Sequence, residues 1–142
     1  MKNNISSEDV KNTIEKEFTK IKNSKLSTVK ESQKRRNLIV SIKNHGGQAF
    51  AIENICFAGM ADIYGETREG EPFWIELKVN YNKLSEKQLA FFELIKIQKY
   101  TTTFFKKTIL LVDVNLKKTF TFSKLKNVTE YVLRLPLTQG GK

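Results

Sequence analysis

The sequence predicts an α/β domain in which a mixed central β-sheet is flanked by helices. Three features of the chain support this fold class. Apolar residues recur at helical spacing in several segments, whereas apolar and polar residues alternate on both sides of the turn ETREGE, as they do in a β-hairpin. The segment KKTILLVDV is almost continuously apolar, which is typical of a strand covered on both faces.

Capping residues and breaks in the apolar spacing set the helix boundaries. Ser6 or Ser7 caps the first helix and Ser85 opens the third, because a serine side chain can accept a hydrogen bond from the first turn. Gly46 and Gly47 end the second helix, where a left-handed residue is favoured. The predicted helices span Ser6 or Ser7 to about Lys22, about Ser27 to Asn44, Ser85 to about Tyr100, and residues 123–135.

Five strands complete the predicted order α-α-β-β-β-α-β-β-α. The second and third strands form the hairpin around ETREGE. In chain order the strands are QAFAIENICF, MADIYG, PFWIELKV, KKTILLVDV and TFTF.

The composition indicates one domain over residues 1–142, with residues 1–25 as a helical extension and residues 27–135 as the core. A single cysteine excludes an internal disulfide and a zinc cage of clustered thiolates. No apolar run reaches the length of a membrane span, and the N-terminus lacks the apolar region of a signal peptide. We therefore expect a cytoplasmic protein, in a bacterial cell or a phage-infected host, with no membrane partner.

Charge is distributed unevenly along the chain. The formal net charge of +10 indicates a polyanionic partner such as nucleic acid. Residues 1–45 carry a net charge of +6 and residues 80–142 carry +8, whereas residues 46–79 carry −4. Carboxylates near phosphates would weaken a purely electrostatic binder, so this acidic centre favours a metal-dependent enzyme that acts on nucleic acid. The alternative is a hairpin that is solvated by its own Glu-rich turn.

Pairing the two hairpin arms symmetrically about the turn sets Asp62 opposite Glu76 and Tyr64 opposite Trp74. These four side chains and Lys78 then share a polar face. The opposite face, which is directed toward the core, comprises Ala61, Ile63, Phe73, Ile75 and Leu77.

Two carboxylates directly across a strand pair repel each other, and a divalent cation such as Mg²⁺ or Mn²⁺ would account for them. Asp62, Glu76 and the main-chain carbonyl of Leu77 are the predicted ligands. Lys78 would lie beside a water molecule and a phosphate, where it could orient or deprotonate the water or stabilise developing charge. The alternative is a same-face surface pair of Glu76 with Lys78.

The segment GMADIYGETREGEPFWIELKVNYNKLSEKQLAFF resembles the core of the PD-(D/E)XK nuclease superfamily, in particular its VRR-NUC branch. An Asp strand, a Glu-x-Lys strand and a following Gln-bearing helix recur in that branch. The matching residues here are Asp62, Glu76, Lys78 and Gln88.

The resemblance covers about residues 31–100 and implies a restriction-endonuclease-like core. It implies hydrolysis of DNA phosphodiester bonds with Mg²⁺ or Mn²⁺ and without a small-molecule cofactor. Asp62 and Glu76 would be metal ligands and Lys78 the catalytic lysine. The chain departs from the pattern at Ala61, where a proline usually precedes the Asp.

Members of this family also place a carboxylate on the helix before the sheet, and Glu31 is the candidate here. It shares a helical azimuth with Leu38, although a surface pair with Arg35 explains it equally well. Gln88 completes a predicted capping box with Ser85, and it can also point toward the sheet beside Lys78.

Basic and aromatic residues around the predicted site are candidates for nucleic-acid binding, although a basic run is often a solvated face and a cross-strand aromatic pair needs no ligand. These residues are Lys30, Lys34, Arg35, Arg36, Tyr64, Trp74, Lys83 and Lys87.

The sequence thus favours a metal-dependent DNA endonuclease that is selective for branched, flapped or junction DNA. One active site per chain suggests a homodimer where both strands are cut. The alternatives are a non-catalytic nucleic-acid-binding protein on the same fold and a structural or partner-binding domain.

Overall fold

The structure, a computed structural model, describes residues 8–13, 31–52, 60–79 and 84–137. In these ranges a six-stranded sheet has its strands in chain order, and all neighbouring strands are antiparallel except the parallel third and fourth. The predicted mixed sheet flanked by helices is therefore confirmed. The strands are β1 Gln48–Ala51, β2 Ile63–Glu66, β3 Pro72–Val79, β4 Gln98–Phe104, β5 Ile109–Asp113 and β6 Lys118–Phe122.

Three helices pack on this sheet within the described ranges, and residues 8–13 are also helical. None of the described helices is long and apolar enough to cross a membrane. Ser6, Ser7 and residues 14–30, which include the predicted end of the first helix and start of the second, lie outside the described residues. The helices are α1 Glu31–Asn44, α2 Glu86–Leu94 and α3 Leu125–Val132.

Gly46 and Gly47 end α1 as predicted. Gly46 has a φ of 98°, in the left-handed region that favours glycine. The N–H of Gly47 donates to the carbonyl of Ile42 at 3.0 Å, and that of Gly46 donates to Lys43 at 3.1 Å, which together form a Schellman motif. This turn directs the chain straight from α1 into β1.

The two faces of the sheet are covered by different helices. On one face, α1 and α3 bury the apolar side chains of the strands. On the other, α2 and the helical segment 8–13 form a second apolar cluster. The first cluster includes Leu38, Ile42, Ile63, Ile75, Leu77, Leu111, Val128 and Val132, and the second includes Val10, Leu89, Phe91, Phe92 and Val112. All five residues of β5 are buried, which confirms the strand predicted to be covered on both faces.

One strand was not predicted. The third helix was expected to reach Tyr100, but α2 ends at Leu94, and Ile95 already has an extended backbone. Gln98–Phe104 instead forms β4, which pairs in parallel with β3. The sequence KYTTTF explains the difference, since three consecutive β-branched threonines between aromatic residues favour a strand over a helix.

The first strand is shorter in its described part than predicted. β1 ends at Ala51, and residues 53–59 lie outside the described residues. Ala61 is buried as expected but belongs to the cluster under α2, not to the cluster around Ile63. The alternation begins only at Ile63, the first residue of β2, so it does not extend back to Ala61.

Asp113, the last residue of β5, is only 2% exposed. The Tyr131 hydroxyl donates to its Oδ2 at 2.8 Å, and Gln98 Nε2 donates to its Oδ1 at 2.8 Å. The N–H of Leu116 donates to the same Oδ1 at 3.2 Å. Side chains of α3 and β4 and one backbone N–H therefore satisfy this buried carboxylate on the face of the sheet that α3 covers.

Replacing Tyr131 with Phe tests this network. The variant keeps the ring but removes the donor to Asp113, so we expect the free energy of unfolding to fall by about 1–3 kcal/mol. Tyr64→Phe is the control, because it removes only a 3.3 Å bond to Glu66 and should change stability by less than about 0.5 kcal/mol. Urea unfolding measures both, and equal losses would contradict the assignment.

Candidate metal centre

Three carboxylates converge where β2 and β3 separate. Glu31 is the first residue of α1, Asp62 directly precedes β2, and Glu76 lies within β3. One carboxylate oxygen from each lies within 4.8 Å of those of the other two. The helix and the hairpin thus bring together three carboxyl groups that are distant in the sequence.

The hairpin register brings Asp62 to Glu76. Ile63 pairs with Ile75 and Tyr64 with Trp74, as predicted from the symmetric turn. The same register places Asp62, one residue before β2, across from Glu76. The sheet ladder ends there, and Asp62 Oδ2 accepts the N–H of Leu77 at 2.9 Å.

The backbone of Leu77 is oriented toward this centre. The N–H and C=O groups of a strand residue point to the same side of the strand. Because the N–H of Leu77 donates to Asp62, its carbonyl also points away from β4, toward the side where the carboxylates lie. This orientation is compatible with the carbonyl ligand that the sequence predicted.

Glu31 is turned toward the sheet. Burial raises the pKa of its carboxyl, and the charge on Asp62 raises that pKa further, whereas Lys78 and Arg35 lower it. Within the described residues, Glu31 and Arg35 form no ion pair at contact distance. Of the two explanations for Glu31, the geometry therefore favours the inward carboxylate over the surface pair.

Glu76 is the most deeply buried carboxyl group of the centre. It is 1% exposed, and desolvation together with the nearby Asp62 raises the pKa of its carboxyl to about 9. Its Oε1 is buried and has no hydrogen-bond partner among the described residues. A buried acceptor of this kind costs about 1–3 kcal/mol unless a donor, a proton or a cation satisfies it.

Two side chains contact the other oxygen of Glu76. Gln88 Nε2 donates to Oε2 at 2.7 Å, and Lys78 Nζ lies 3.8 Å from it. The Lys78 side chain keeps 17% of its surface exposed, so its amine can meet both Glu76 and a molecule that approaches from solvent.

Gln88 has the two functions that the sequence left open. Its backbone N–H donates to Ser85 Oγ at 3.1 Å, and its Oε1 accepts the N–H of Ser85 at 2.8 Å, which confirms the capping box. Its amide nitrogen remains free for Glu76. The start of α2 therefore fixes the orientation of a carboxylate in β3.

Threonines of the unpredicted strand complete the surroundings. Thr101 pairs with Glu76 and Thr103 with Lys78 in the parallel register, so their side chains share the same face. Thr101 Oγ1 is buried without a partner among the described residues. The sequence TTT was the signal that could have pointed to these residues. It places Thr101 and Thr103 beside Glu76 and Lys78 only if residues 98–104 are recognised as a strand.

The donor set fits a hard divalent cation. Mg²⁺ and Mn²⁺ favour carboxylate, carbonyl and water oxygens. Opposite oxygens on Mg²⁺ are about 4.2 Å apart, given metal–oxygen distances of about 2.0–2.1 Å. The oxygens of Glu31, Asp62 and Glu76 lie within 4.8 Å of one another, so small side-chain movements would suffice to bring all three onto one ion, and the Oε1 of Glu76 accepts no hydrogen bond from the described residues.

The residues predicted to bind nucleic acid are more dispersed. Lys30 and Lys83 lie outside the described residues. The Trp74 ring packs edge-on against Tyr64 at 5.1 Å and Phe91 at 5.2 Å, so these packing contacts already account for the cross-strand pair. The remaining candidates line the surface of two helices, namely Lys34, Arg35 and Arg36 of α1 and Lys87 of α2.

Comparisons with protein-family models, with curated proteins and with solved structures gave no match for this chain.

The pKa of Glu76 predicts how stability depends on pH. A carboxyl whose pKa rises from about 4.5 to about 9 on folding stabilises the fold most below pH 4.5, and this contribution is lost as pH rises toward 9. In EDTA we expect the free energy of unfolding to fall across this range by up to about 1.4 kcal/mol per pH unit. Glu76→Gln should flatten the profile, whereas Glu69→Gln, in the exposed turn, should not.

Urea unfolding in EDTA at several pH values measures this dependence. Equal slopes for the wild type and Glu76→Gln would contradict it. Addition of Mn²⁺ at pH 8 should stabilise the wild type and the Glu69→Gln control, but not Glu76→Gln.

Variants of the capping box separate the two functions of Gln88. Gln88→Leu removes one capping bond and also the donor to Glu76 without adding charge to the acidic centre, so we expect Mn²⁺ affinity to fall by about 10–100-fold. Ser85→Ala removes a capping bond and leaves the bond to Glu76, and it should retain wild-type affinity. Mn²⁺ binding followed by electron paramagnetic resonance measures both, and a comparable loss in Ser85→Ala would show that only helix stability matters.

Proposed function

We propose that this protein is a divalent-metal-dependent endonuclease that hydrolyses DNA phosphodiester bonds on a restriction-endonuclease-like core. The observation that carries the proposal is the buried, unsatisfied carboxylate of Glu76, which lies within a cluster of three acids and beside the amine of Lys78. Acids that serve only structure are normally paired with donors, as Asp113 is in the same sheet.

Each residue of the centre has a task in such a reaction. Glu31, Asp62 and Glu76 would hold the cation, and Gln88 orients Glu76. When bound, the cation would act as a Lewis acid on the phosphate and would lower the pKa of a water molecule. Lys78 contributes a positive charge at the same point, where it orients the attacking water and stabilises the charge that develops on the phosphate oxygens.

The substrate proposed is branched, flapped or junction DNA. Most of the described chain is committed to the sheet and its helices, which leaves no evident module for reading base edges in the major groove. A homodimer would supply two centres for cutting two strands. This substrate preference depends on the nuclease proposal.

A nucleic-acid-binding protein without cleavage is the second candidate, and the net charge of +10 favours it equally. The two functions differ in what the acids do. In a protein that only binds DNA, Asp62 repels the phosphates. Asp62→Ala would then leave DNA binding in EDTA intact or make it tighter. The wild type itself would show no metal-dependent cleavage.

Cleavage assays test the nuclease directly. With Mg²⁺ or Mn²⁺ the wild type should cut supercoiled plasmid or a labelled flapped or four-way oligonucleotide, and EDTA should stop the reaction. Lys78→Ala should lower the cleavage rate by about 10²–10⁴-fold, because an electrostatic contribution to the transition state is lost. DNA binding measured in EDTA should change little.

Lys96→Ala is the matched control, since Lys96 is exposed and belongs to a loop outside the centre. Its cleavage rate should equal that of the wild type. Robust cleavage in EDTA, or full activity of Glu76→Ala, would refute the metal mechanism. Linear, flapped and four-way substrates of the same sequence compared side by side measure the selectivity.

A further inference from the structure

A second polar feature lies apart from the carboxylates, in a pocket of about 250 Å³ between the first turns of α1, the β4–β5 turn and the start of α3. Three lysines line it, Lys34 of α1 and Lys106 and Lys107 of the turn, and we call it the lysine pocket. Among the described residues, no acidic side chain lines it. Its other lining residues include Asn37, Phe104 and Ser123.

Within the described part of the chain, none of these three lysines forms an ion pair with a carboxylate. Lys34 Nζ lies 5.3 Å from the centre of the Phe104 ring, a cation–π contact that holds the side chain against the pocket wall. Three like charges directed to one pocket repel one another, and an anion in the pocket would relieve this repulsion.

The start of α3 adds to the positive potential. Ser123 and Leu125 line the pocket, and the N-cap residue Lys124 makes no side-chain capping bond. The first turn of α3 contains no acidic residue. Partial positive charge at a helix N-terminus supports anion binding there, in addition to the lysines.

The pocket lies at the same end of the sheet as the metal centre. Lys34 follows Glu31 by three residues on α1, so the two side chains lie on one side of the helix, a single turn apart. Phe104, in the pocket wall, pairs with Val79, the residue after Lys78. A nucleic acid bound at the metal centre would therefore lie at the same end of the sheet as this pocket.

We propose that the lysine pocket binds a backbone phosphate of the nucleic acid, near the phosphate that is held at the metal centre. The inference rests on the proposed function for the identity of the polymer. In this proposal Lys106 and Lys107 contact the nucleic acid together with Lys34.

The test compares two double variants with equal loss of charge. Lys106→Gln/Lys107→Gln removes two lysines of the pocket, both at exposed positions of a turn. Lys96→Gln/Lys118→Gln removes two exposed lysines that do not line it. Binding of a fluorescent flapped oligonucleotide is measured in EDTA, without cleavage, at several NaCl concentrations.

We expect the pocket variant to bind about 10-fold more weakly at low salt, with a dependence of log K on log salt that is shallower by about 1, as for one lost phosphate contact. The control variant should keep the slope of the wild type. Lys106→Arg/Lys107→Arg keeps the charges and should restore binding, and thermal unfolding of each variant verifies the fold. Equal losses in the two Gln variants, or wild-type binding by the pocket variant, would overturn the proposal.

Lysine acylation read by mass spectrometry distinguishes a polymer from a small anion. The oligonucleotide should protect Lys106 and Lys107 at micromolar concentration, and inorganic phosphate should not. Equal protection by inorganic phosphate would overturn the assignment to nucleic acid. If the wild type cleaves no DNA but binding still depends on the pocket lysines, only the nuclease proposal fails. If the wild type cleaves DNA and neither cleavage nor binding depends on these lysines, only the pocket proposal fails.

Discussion

The burial of the Glu76 carboxylate next to Asp62 is the constraint on which the site depends. Two acids facing each other across a hairpin are repulsive, and removing one of them from water adds a desolvation cost. The protein without metal reduces this cost by keeping a proton on Glu76, as its pKa of about 9 indicates. The neighbouring amine of Lys78 and the amide of Gln88 satisfy only one of its oxygens. A cation bound between these acids would satisfy the remaining oxygen, which is the physical basis of the proposed metal site.

Asp113 shows what a structural buried acid looks like in the same sheet. Both of its oxygens accept hydrogen bonds from donors of the chain itself, from Tyr131, Gln98 and a backbone N–H. Glu76 is equally buried, yet one oxygen has no such donor among the described residues. The two acids lie on opposite faces of the sheet, Asp113 of β5 beneath α3 and Glu76 of β3 beside α2. The difference in hydrogen bonding, and not burial alone, distinguishes the two acids.

The sequence predicted the relative positions of Asp62, Glu76 and Gln88 better than it predicted the sheet around them. The short turn ETREGE determines the hairpin register, and a register error of one residue would expose the whole apolar face, so Asp62 and Glu76 could be paired from local rules. The capping box that orients Gln88 is equally local. β4 was missed because the apolar spacing at Ile95 is compatible with a helix as well as with a strand, and only pairing with β3 decides between them. The partners of Asp113 come from α3 and β4, a tertiary contact that no local pattern encodes.

The uneven charge of the chain acquires a spatial meaning in this fold. Residues 46–79 contribute the acids of the hairpin, whereas α1 contributes both Glu31 to the carboxylates and Lys34 to the lysine pocket, three residues apart. Opposite charges kept this close without neutralising each other require different partners, a cation for the acids and an anion for the lysines. Under the proposed function, a phosphodiester chain with a bound metal ion would supply both partners, whereas a simple electrostatic binder would have no use for the acids. The juxtaposition of Glu31 and Lys34 on one helical turn would then bring both sites to one substrate.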